Sequence, residues 1–113
     1  MPGEQSPDWN LLERLVAETR PLVEAQIRVG TMFGCAAAFV DRRLAFCVCS
    51  GAIGAKLPQA EAARLIASSE ATPFRLFGRS PMREWVELRA DPHQLASISP
   101  IFAIAVRYAE KRA

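Results

Sequence analysis

The sequence predicts a single α+β domain over residues 1–113. It should be a two-layer fold, a mainly antiparallel sheet with helices packed on one side, in the order αβββαββα. Three observations carry this expectation. Apolar runs of strand length at 35–40 and 44–49 are separated by the short polar stretch Asp41-Arg42-Arg43, which reads as a hairpin. A second pair of strand-like segments, 73–77 and 82–89, flanks the turn signal Gly78-Arg79-Ser80-Pro81. Apolar residues at helical spacing stand before the first pair and after the second.

The elements follow in order. Ser6-Pro7 offers an N-cap with proline at the first helical position, and Asp8 puts a carboxylate in the first turn. Leu12, Leu15, Val16 and Thr19 recur every three or four residues, and Leu22, Val23, Gln26 and Ile27 continue the stripe. Pro21 predicts a kink or short break in that helix. From Arg28 the composition changes, with Gly30, Thr31 and Gly34 as punctuation before the hairpin strands. Its turn lacks the glycine that a tight type I′ loop favours. Ser50-Gly51 makes the next turn and 52–57 a third strand, where Gly54 and Ala55 leave room for a neighbouring element to approach closely. Pro58 opens a second helix with Ala62, Ala63, Leu65 and Ile66 facing inward. After the second hairpin, Asp91-Pro92-His93-Gln94 combines an N-cap, a proline and a glutamine three residues on, a helix start. Ser99-Pro100 repeats the signal, so the last helix is expected to be kinked or divided. Ile101, Phe102, Ile104, Ala105, Tyr108 and Ala109 give it a wide apolar face, and Lys111 and Arg112 suit its C-terminal dipole.

Composition narrows the class of role. Half of the residues are apolar and 23% charged, which excludes a disordered chain. A net charge of +2 is too small for a strongly basic nucleic-acid surface, so no direct nucleic-acid binding is expected. The first ten residues carry no basic and apolar leader, and no apolar stretch approaches the ~20 residues that span a bilayer. The expectation is a cytoplasmic protein without membrane association. Three cysteines, Cys35, Cys47 and Cys49, are an odd number and read as reduced core thiols rather than a disulfide framework.

No reactive constellation emerges. Cys47 and Cys49 lie two apart on a strand, a poor geometry for converging on zinc, and neither metal nor cofactor is expected. His93, the only histidine, stands in the first turn of a helix with no Gly-x-Ser-x-Gly elbow anywhere in the chain. The stretch 51–56 has glycines but lacks the Gly-Lys-Ser/Thr ending of a phosphate loop. Arg75, Arg79 and Arg83 gather around the second hairpin, with Trp85 on the strand face of Arg83. Guanidinium planes beside an indole can hold an anion, a nucleotide base or a partner protein. Glu84 falls on the opposite, apolar face, where a carboxylate needs a partner and an arginine is the expected one.

Met32-Phe33-Gly34 at the head of the first hairpin, Lys56-Leu57-Pro58 after the third strand, Pro73-Phe74, Met82-Arg83-Glu84-Trp85-Val86 and Asp91-Pro92 occur in one order. Together they resemble the N-terminal domain of the TfoX/Sxy family of bacterial competence regulators, over roughly residues 30–111. Arg42-Arg43 stand where that family usually has glycine or asparagine. Gly54 and Ala55 replace bulkier residues, and the second, helical domain of long members is not present before Ala113. The resemblance implies an α/β fold and a regulatory role, with no catalytic residues to carry over. The expected function is a non-enzymatic regulatory or adaptor module working through protein–protein contact, with homodimerisation the simplest assembly. The candidate contact residues are Arg75, Arg79, Arg83, Glu84, Trp85 and Phe102, the last on surplus apolar surface of the final helix. The alternative is a small-ligand domain that binds an anion or nucleotide at the Arg/Trp patch.

Overall fold

Ser6 caps the first helix, its hydroxyl accepting from the Trp9 N–H at 3.1 Å, and Pro7 takes the position where no N–H is needed. The computed structural model describes residues 6–32, 34–74, 83–89 and 92–112. Helix α1 (Pro7–Thr19) buries Leu12, Leu15 and Val16, and the buried Thr19 hydroxyl donates back to the Leu15 carbonyl. Pro21 turns the chain into a 3₁₀ turn over Arg20–Leu22, after which Val23 is extended. The expected helical stripe therefore stops short of Ile27. Instead Ile27–Met32 forms β1, a strand the order αβββαββα did not include.

The remaining elements are β2 (Cys35–Val40), β3 (Arg43–Cys49), β4 (Ala52–Lys56), α2 (Gln59–Ala67), β5 (Thr72–Pro73), β6 (Trp85–Leu88) and, after a 3₁₀ turn at Pro92–Gln94, α3 (Leu95–Arg112). The six strands make one antiparallel sheet in the order β1-β2-β3-β4-β6-β5. Helices α1, α2 and α3 pack on the same face of it and share one apolar core. Phe46 and Phe102 meet at its centre with ring centroids 4.9 Å apart. The α+β class with helices on one side is as the sequence predicts.

Turn chemistry sets the register. Asp41-Arg42 joins β2 to β3 with Asp41 at φ 55°, a left-handed conformation that Asp tolerates better than most residues. Arg28 donates to the Asp41 carbonyl at 2.9 Å. Ser50-Gly51 joins β3 to β4 with both φ values positive, 50° and 82°, as a type I′ turn requires. Its two N–H groups are held by one carboxylate: Asp8 accepts from Ser50 at 2.7 Å and from Gly51 at 2.8 Å. The acid placed by the sequence in a helix first turn thus ties α1 to a hairpin 42 residues away.

A bulge lies in the β2–β3 pairing. Phe39 pairs with Leu44 but Ala38 pairs with Phe46, so Ala45 is the extra residue. The shift places Leu44 on the outer face and Phe46 in the helix-side core. It also aligns Cys35 with Cys49, and the two form a disulfide with Cα atoms 5.0 Å apart. This corrects the expectation of three reduced thiols. Cys47 alone is free, and it is fully buried.

Helix α3 runs unbroken through Pro100, so of the two expectations, a kink or a division, the division is ruled out. Proline removes the N–H that would reach the Ala96 carbonyl. The Ser99 hydroxyl supplies the missing donor, to Ala96 at 2.9 Å.

Candidate functional site

Helices α1, α2 and α3 share one face, and among the described residues the other face of the sheet is covered by its own strands and Phe74. Small residues floor it: Gly30, Ala37, Cys47 and Gly54 occupy neighbouring positions on β1 to β4. Phe74 folds over this floor, and a Cβ added at Gly54 would stand 2.8 Å from the tip of its ring. The close approach expected at Gly54 is this contact. Phe74 stacks on Trp85 at 5.6 Å, and the two close a small second core with Ala37 and Cys47. Around it Met32, Phe39, Leu44 and Cys49 are only half-buried, an apolar rim among the described residues. Arg28 lies over the Phe39 ring at 5.7 Å and places one positive charge at its border.

Burial pushes the Cys47 thiol up to about 11, partly opposed by a hydrogen bond from the Gly54 backbone. It is a packing residue rather than a nucleophile. The Cys35–Cys49 bridge, by contrast, lies at the half-buried rim.

Glu84 has the partner its position demands, but not an arginine. Its carboxylate accepts a hydrogen bond from the Tyr108 hydroxyl of α3 and pairs with Lys56 at 3.7 Å. That hydrogen bond, with some desolvation and the carboxylate charge, raises the Tyr108 pKa against the opposing pull of Arg112. The Glu84 carbonyl also receives the Leu57 N–H at 2.7 Å, so the residue locks the start of β6 to the end of β4. Next to it a cleft of about 390 Å³ is lined by Pro58, Glu61, Ile104, Arg107, Tyr108 and Lys111. Glu61 is engaged by Arg64 at 2.8 Å and Arg107 by the Leu22 carbonyl at 2.7 Å, so the cleft keeps few polar groups that are not already committed.

The predicted contact residues do not assemble into one patch. Arg75 and Arg79 lie outside the described residues, and Arg83 is exposed in the turn before β6. Trp85 is only 8% exposed, its ring closed off by Phe74 rather than presented for stacking. Phe102 is wholly buried against Phe46, which corrects its place as an interface residue. The surplus apolar surface expected on α3 is likewise turned inward, with Ala105 and Val106 in the core and Ile101 and Ile104 packed against it. Two residues were missed: Tyr108, counted only as apolar face, and Phe74, counted only as a family landmark. An acid at an apolar position with a single tyrosine in the chain was the signal for the first.

Among the described residues, no group of three or more His, Cys, Asp or Glu side chains is placed to hold a metal, and no helix is long and apolar enough to cross a membrane. No family model, curated protein or solved structure matches the chain.

Proposed function

We propose that this protein is a non-enzymatic regulatory or adaptor module of the TfoX/Sxy N-terminal type, acting by protein–protein contact from the cytoplasm. The observation that carries the reading is the open sheet face. Met32, Phe39 and Leu44 rim a floor of small residues that, among the described residues, no helix covers. Apolar surface of this kind, with Arg28 at its edge, suits a partner's apolar side chains with a carboxylate to meet that guanidinium. The order of five short motifs adds the family side of the argument. In a reducing cytoplasm the rim disulfide Cys35–Cys49 is closed only under oxidation, which gives the face two chemical states.

The test is native mass spectrometry of the tagged chain isolated gently from its own source, beside the variant Leu44→Glu. The expected result is a defined protein partner that L44E loses while keeping the wild-type circular dichroism. A partner retained by L44E moves the contact elsewhere. A bare chain in both samples refutes the adaptor reading.

A further inference from the structure

The two edges of the sheet are unequal. At one end β5 is two residues long and carries Pro73, which has no N–H to offer. At the other, β1 runs for six residues, pairs with β2 along its whole length and has one charged side chain, Arg28. Met32 and Cys35 are paired across a two-residue connection, so they form a hydrogen-bonded pair. Alternation then turns the N–H and C=O of Ile27, Val29 and Thr31 away from β2, toward the open edge. The Arg20 guanidinium, which donates to the Ile27 carbonyl at 3.3 Å, fits this assignment. Among the described residues no hydrogen bond outside the ladder reaches Val29 or Thr31. Among the described residues the one large apolar side chain that is well exposed, Leu22, stands on the segment leading into this strand.

We propose that β1 is a self-association edge: two copies of the chain pair their β1 strands antiparallel about a twofold axis at Val29, making one continuous sheet. The inference rests on the protein-contact reading above and names one partner, a second copy. Charge selects the register. With the axis at Val29, Ile27 faces the partner's Thr31, and Arg28 faces the partner's Gly30, where there is no side chain to displace. Shifting the axis to Arg28 would set the two arginines directly opposite, a like-charge pair. Val29 against its own copy is a β-branched pair, and it continues the helix-side core across the axis. Such an isologous contact closes on itself as a dimer. The other edge, ended by Pro73, cannot propagate it into a fibre.

Sedimentation equilibrium at about 100 μM, set between the μM and mM ranges of affinity, should show a dimer of the 12.4 kDa chain. Thr31→Pro removes an outward N–H without touching the β1–β2 ladder. It should weaken the dimer roughly tenfold or more, since the twofold axis doubles each lost bond. Val29→Cys treated with a short bismaleimide should give a covalent dimer, whereas Thr72→Cys on the opposite edge should not. The second measurement decides if T31P does not fold. A wild-type chain that stays monomeric overturns the proposal, as does a dimer that survives T31P and is not cross-linked through V29C. Neither failure touches the adaptor reading, which is judged by partner capture through Leu44.

Discussion

Replacing Gly54 with alanine places a methyl group where Phe74 already is. The new Cβ would lie 2.8, 2.9 and 3.1 Å from three atoms of the ring edge, against about 3.5–4.0 Å for relaxed carbon contacts. The ring must retreat by most of an ångström, yet it is 3% exposed and stacked on Trp85. Overpacking of this kind costs about 1–3 kcal/mol. Against it, removing a glycine lowers the entropy of the unfolded chain and stabilises by about 0.4–1 kcal/mol. The clash wins, and G54A should lose about 1–2 kcal/mol in urea denaturation followed by circular dichroism. The cause is isolated by Phe74→Leu, whose shorter side chain does not reach the new methyl. In that background G54A should become neutral or stabilising, a coupling of about 1–3 kcal/mol in the double-mutant cycle. A G54A variant as stable as wild type, or one that loses the same amount with and without Phe74, would refute the account of the outer face as a floor built for that ring.

Other outcomes follow from the same structure. Phe102→Ala should cost about 3–5 kcal/mol by chemical denaturation, because it empties the centre of the core beside Phe46; a loss under 1 kcal/mol would mean the ring is not packed there. In air-oxidised protein an alkylating reagent should label no cysteine; after reduction it should label Cys35 and Cys49, and Cys47 only on unfolding. Reduction should lower stability by about 3 kcal/mol, the value for a closed loop of about 15 residues. Native labelling of Cys35 before reduction would count against the bridge. The Cys47 thiol is raised from 9.0 to about 11, so its contribution is full below pH 9 and is lost as pH climbs toward 11. The unfolded chain releases that proton first, and stability should fall by about 2 kcal/mol across the window. Cys47→Ala should remove this part of the alkaline slope. Finally, Tyr108→Phe should cost about 1 kcal/mol by leaving Glu84 with Lys56 alone, and an unchanged melting curve would show that the hydroxyl contributes nothing.

How far the chain could be read depended on whether the cause was local. The Ser6 cap, the strand runs of β2 and β3, and the helix pattern of α3 are written in adjacent residues, and they stand as expected. Strand β1 was not legible because Leu22, Val23, Gln26 and Ile27 continue the helical spacing of α1, and only pairing with β2 decides against it. The disulfide depends on a single bulged residue. Were Val40↔Arg43 continued without a shift, Cys35 would face Val48, and nothing near Ala45 announces the extra residue. The candidate site was the least legible part. An exposed Arg/Trp patch was inferred from strand alternation around Trp85, but alternation gives the face and not what lies over it. Phe74, eleven residues earlier, covers the indole. The acid at Glu84 was correctly seen to need a partner, and the partner came from α3, a distance in sequence that no local pattern spans.

The serine that mends α3 at its proline also orders the substitutions this helix can accept. Pro100→Ala restores the N–H that Ala96 lacks, after which Ser99 is free to change. Taken the other way round, Ser99→Ala comes first and leaves the carbonyl of the exposed Ala96 to water, beside a proline that cannot serve it, at a cost of about 0.5–1.5 kcal/mol. One of the two mutational routes to the same doubly changed helix is therefore open at every step, and the other passes through a weakened intermediate.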